Sequence, residues 1–204
     1  MEVQEYFNRK KDFYNILLEF IDEYDSNDES NDANFKALIQ YIEIHKFHEN
    51  TEEFEHFLRL LLNIFNNHYR HSGFISKIER IILYFEKSIK QTFSNIEIFE
   101  IFKDCRYLLL FIISKHIINL DKDIINRIVE NQDIISPRYC HFFLPEIKES
   151  NDLKNAEIIE NEIMSIDQNF LKNYEENRQI GENDSYICTL IRQDSIEEFV
   201  SYVN

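Results

Sequence analysis

Two glycines and two prolines are the only strong backbone punctuation in 204 residues. Tight β-hairpins need residues that tolerate φ above zero, and no Asn-Gly or Asp-Gly pair occurs anywhere in the chain. Gly73 and Gly181 stand far apart, so the clustered glycines of phosphate-cradling loops and dinucleotide fingerprints are missing as well. These absences leave helix as the element from which the chain can be built.

The period of the apolar residues agrees. Phe54, Phe57, Leu58, Leu61, Leu62, Phe65 and Tyr69 follow the i, i+3, i+4, i+7 rule, and Ile75, Ile78, Ile81, Ile82, Phe85 and Ile89 repeat it. Both segments read as long amphipathic helices. An N-terminal helix carries Tyr6, Phe13, Tyr14, Leu17, Leu18, Ile21 and Tyr24, its stripe interrupted by Lys10 and Lys11, and a further helix is expected from Phe35 to Phe47. From Arg106 to His116 apolar residues run all the way round, which describes a helix buried on every side at the centre of a domain.

Helix starts are marked by side chains that accept the orphan N–H groups of a first turn. Ser76 with Glu79 and Ser94 with Glu97 have capping-box spacing, and Ser136-Pro137 offers an N-cap with proline at the first helical position. Beyond residue 95 the expected helices shorten, with polar junctions at Asn119 to Asp123 and at Ser150 to Asp152, the texture of stacked helical hairpins. Asp104 to Val129 and Asn183 to Val203 share a layout of apolar helix, Asp-containing turn and second apolar helix.

With 44% hydrophobic and 14% aromatic residues the chain has material for a core, and such a composition argues against disorder. The net charge is −16, from 38 acidic and 22 basic residues. That surface repels phosphate backbones and anionic membranes, so neither nucleic acid nor membrane is an expected partner. The N-terminus lacks an apolar leader region, and the longest apolar run, Tyr107 to Ile113, is too short to span a bilayer. Three widely spaced cysteines, Cys105, Cys140 and Cys188, suit a reducing compartment; a cytoplasmic protein is expected.

Motifs that imitate chemistry fail on inspection. Asp25 to Asp32 resembles the start of a calcium loop, but Ser30 stands where glycine is needed and Lys36 where a bidentate glutamate should close the site. It reads instead as a solvated acidic linker. His45 and His48, and His68 and His71, are spaced to share helix faces, with His56 between them. Zinc needs further ligands converging from two elements, and neither HExxH nor paired CxxC is present. Cys140 and His141 are adjacent, and adjacent helical residues point apart. Cys105 and Cys188 sit among apolar residues as small core side chains. Paired carboxylates such as Glu52-Glu53, Glu175-Glu176 and Glu197-Glu198 are expected by chance in so acidic a chain; acid–base catalysis requires one desolvated in a cleft. No catalytic residue, cofactor or metal ligand is assigned.

At the C-terminus, Asp184 or Ser185 caps a short helix bearing Ile187, Leu190 and Ile191, and Ser195 with Glu198 forms a capping box for a second. The second helix places Ile196, Phe199, Val200 and Val203 on one face with nothing polar to cover it. A helix pair with a bare apolar end is what the first unit of a stacked repeat array looks like, so these four residues form the candidate interaction face. The stretch Arg178 to Asn204 resembles the junction where a helical N-terminal domain of unknown function meets the repeats in the large protozoan ankyrin-repeat protein families typified by trichomonads. Ile98 to Asp104 with the Leu-Leu-Leu-Phe run after it, Tyr139 to Lys148 and Arg178 to Cys188 look like successive landmarks of that domain. The Thr-Pro-Leu-His signature of a standard ankyrin repeat is missing. The resemblance implies an interaction scaffold with no family catalytic residues to carry over.

The expectation is an all-α chain of antiparallel helical hairpins stacked into a compact ankyrin-like superhelix or solenoid. Residues 1–94 form an N-terminal helical bundle portion and 95–204 short stacked hairpins leading into an ankyrin-like first repeat, or the two are one continuous domain. The function expected is a protein–protein interaction module, the N-terminal part of an ankyrin-repeat scaffold, whose partner is another protein or following ankyrin repeats. The alternatives are a small helical metal-binding protein or enzyme using histidines 45–71, and a structural protein that self-associates weakly through its C-terminal helix.

Overall fold

The computed structural model describes residues 2–22, 28–67, 73–130, 140–150 and 152–165, and every regular element among them is helical. The chain divides into two compact units, Met1–Cys105 and Arg106–Asn204.

The first unit opens with α1 (Glu2–Asp22) and α2 (Asp28–His45), followed by a 3-10 turn (Phe47–Glu49). Phe20 meets Phe35 at 5.4 Å between ring centroids, Phe13 meets Tyr41 at 6.3 Å, and the Tyr41 hydroxyl donates to the Arg9 carbonyl at 2.8 Å. Partners on α2 advance as α1 is read backwards, so the pair is an antiparallel hairpin. The second hairpin joins α3 (Thr51–Asn67) to α4 (Phe74–Tyr84) and α5 (Glu86–Thr92). Here Phe65 meets Phe74 at 5.9 Å, Phe57 meets Phe85 at 5.5 Å and Phe54 meets Phe93 at 5.6 Å, again antiparallel.

Between the hairpins the direction is kept. Arg9 pairs with Glu53 and Phe13 packs on Phe57 at 5.7 Å, so α1 and α3 run the same way. Asp32 pairs with Arg80 at 2.7 Å and Glu43 accepts from the Tyr84 hydroxyl at 3.5 Å, so α2 and α4 do too. Helix α1 also packs against α4, where the Lys77 ammonium lies 5.5 Å from the centre of the Phe20 ring. Wedged among three helices, α1 buries Phe13, Leu17, Phe20 and Ile21. The expected stripe omitted Phe20 and included Tyr14, which is 43% exposed; contact with both α2 and α4 turns the helix so that Phe20 faces inward.

Three further expectations are corrected. The helix expected over Ile75 to Ile89 breaks at Phe85 (φ −92°, ψ 7°), which lets the chain follow α3 and lays Phe85 on both Phe54 and Phe57. The Ser76–Glu79 capping box does not form, because α4 starts earlier. Gly73 is its N-cap at φ 82°, a conformation glycine adopts without a Cβ clash, and the Ser76 hydroxyl donates to the Gly73 carbonyl from inside the first turn. The acidic stretch read as a linker instead contributes Asp28 to Asp32 to the start of α2, where the helix dipole favours negative charge.

The Ser94–Glu97 box is formed at the start of α6 (Asn95–Phe102). Glu97 accepts from the Ser94 backbone N–H at 2.8 Å and from its hydroxyl at 2.7 Å, and these bonds hold the Glu97 carboxyl below its usual range. Ser94→Ala should destabilise by about 1 kcal/mol in urea titrations followed by circular dichroism. The Glu97 contribution is fully present above its unfolded pKa and lost as pH falls through the lower folded value, so Ser94→Ala should weaken that acid dependence. Helix α6, which buries Phe99 and Phe102, packs on α3 and lies in the first unit.

The second unit contains α7 (Arg106–Ser114), α8 (Lys122–Glu130), a 3-10 turn (Cys140–Phe143), α9 (Leu144–Glu149) and α10 (Leu153–Ser165). All four residues of the turn are buried, and α8, α9 and α10 pack against it. Arg106 sets its guanidinium 5.4 Å from the Phe142 ring centre. Helix α7 buries Leu108, Leu109, Ile112 and Ile113 but leaves Tyr107, Leu110 and Phe111 half-buried, so it is not enclosed on every side. His116 ends it at φ 54°, with its N–H donating to Ile113 and that of Ile117 to Ile112, the paired bonds of a Schellman motif. The polar junctions hold caps: Asp121 accepts from the N–H of Ile124 at 3.0 Å and Asp152 from that of Asn155 at 3.2 Å.

Candidate functional site

A groove of about 330 Å³ opens in the first unit between α1, the 3-10 turn and α3. Its floor is apolar: Phe13, Phe47 and Phe57 are buried there, with half-buried Leu60 beside them. Phe13 and Phe47 are 5.1 Å apart at a tilted angle, so the floor is a set of interlocked rings with fixed positions. Tyr14 stands exposed at one wall, and Lys10, His56 and Arg59 also line the groove.

The walls are held together from behind. Arg9 reaches from α1 to Glu53 on α3, its guanidinium lying 5.4 Å from the Phe47 ring centre, while its carbonyl accepts the Tyr41 hydroxyl. Burial raises the Tyr41 phenol pKa above its ordinary value, and the Asp12 carboxylate pushes the same way. The phenol therefore stays a donor across the physiological range. Arg59 is paired along its own helix with Glu55 at 2.8 Å.

The sequence did not bring these residues together as one site, although a signal existed. Lys10, Phe13 and Tyr14 have i, i+3, i+4 spacing on α1, and His56, Leu60 and Asn63 form a stripe flanking the core stripe of α3. The face Ile196, Phe199, Val200 and Val203 lies outside the described residues, as do Ser136-Pro137, the Ser195–Glu198 box, Cys188, His68 and His71.

Among the histidines, His45 packs on Tyr41 at 4.3 Å, His48 stands 3.7 Å from a Glu43 oxygen and 6.1 Å from the Phe85 ring centre, and His56 lines the groove. No group of three or more His, Cys, Asp or Glu capable of holding a metal occurs among the described residues. Cys105 and Cys140 are buried free thiols. No helix among the described residues is long and apolar enough to cross a membrane.

No protein-family model, curated protein or solved structure matches this chain.

Proposed function

We propose that the chain is a protein–protein interaction module, the N-terminal part of an ankyrin-repeat scaffold, working through its surface and without catalysis. The observation that carries the module reading is the groove: an aromatic floor, open to solvent and braced by Arg9, provides a preformed depression into which a partner side chain can be buried. The stacked-hairpin reading draws support from direction, since α1 with α3 and α2 with α4 keep the same sense, as equivalent helices of successive hairpins do. The buried free thiols suit a cytoplasmic setting.

In the scaffold reading, Ile196, Phe199, Val200 and Val203 form a repeat-to-repeat face that needs a neighbour. Light scattering after size exclusion, over a concentration series, should show the wild-type mass rising above the 24.9 kDa monomer. Phe199→Asp and Val203→Asp should hold it at the monomer. A wild-type monomer indifferent to both substitutions would remove the scaffold face and leave the groove as the working surface.

A further inference from the structure

We draw no further inference here: the strongest candidate, the aromatic-floored groove between α1, the 3-10 turn and α3, belongs to the site already described, and nothing in the structure shows what covers it.

Discussion

Phe85→Ala is expected to destabilise the chain by about 3–5 kcal/mol, the range for removing a fully buried phenylalanine when the surroundings cannot close the cavity. Phe85 is 1% exposed and its ring lies 5.7 Å from Phe54 and 5.5 Å from Phe57, with His48 at 6.1 Å. It therefore joins α3, the α4–α5 turn and the 3-10 turn at once. The backbone there is satisfied without the side chain: the Phe85 N–H donates to Ile81 at 3.2 Å, and its carbonyl accepts from Ile89 at 2.8 Å. The loss would thus report packing and not helix breakage. Rings fixed on several sides relax little, which places the expectation in the upper part of the range. Urea unfolding followed at 222 nm measures it, with Phe85→Leu as a partial replacement that should recover more than half. A loss below about 1 kcal/mol would mean that this aromatic cluster is not assembled as described.

Lys77→Glu is the second large effect. Lys77 sits on α4 at 2% exposure, its stem buried between helices and its ammonium over the Phe20 ring. The negative face of an aromatic ring attracts a cation and repels a carboxylate, so the substitution buries a charge of the wrong sign where water cannot solvate it. An expected loss of about 3–5 kcal/mol follows from the cost of an uncompensated buried charge. Lys77→Met keeps the unbranched stem and forgoes the charge together with the contacts the ammonium makes. Its cost should stay near ~1–2 kcal/mol, the size of a desolvated cation–π contact. If the two variants unfold at the same urea concentration, the charge at Lys77 is irrelevant and its role is volume alone.

Parts of this architecture were legible before any coordinates. On α3 the expected stripe from Phe54 to Phe65 is buried throughout, because six apolar positions at helical spacing leave one choice of inward face. The Ser94–Glu97 box was equally plain, since both partners lie within one turn. Ser76 and Glu79 have the same spacing without forming a box, because Gly73 starts the helix before them. On α1 the stripe was ambiguous: Tyr14 and Phe20 compete for the core, and only packing against α2 and α4 selects Phe20. The groove was the least legible part, as its walls come from helices some forty residues apart and Lys10 looked merely like a flaw in a stripe.

What the amino-acid order determined by itself was local: helix over strand, from the lack of glycine and the 3.6-residue period, and those helix starts where a capping side chain meets N–H groups one turn away. What only tertiary structure decided was non-local: the rotation of α1, the break at Phe85, the burial of Lys77 and the groove that α1 and α3 line together over an aromatic floor. A period says that a face is apolar, but which neighbour covers it depends on the fit of side chains distant in the chain, and that fit exists only once the helices have packed.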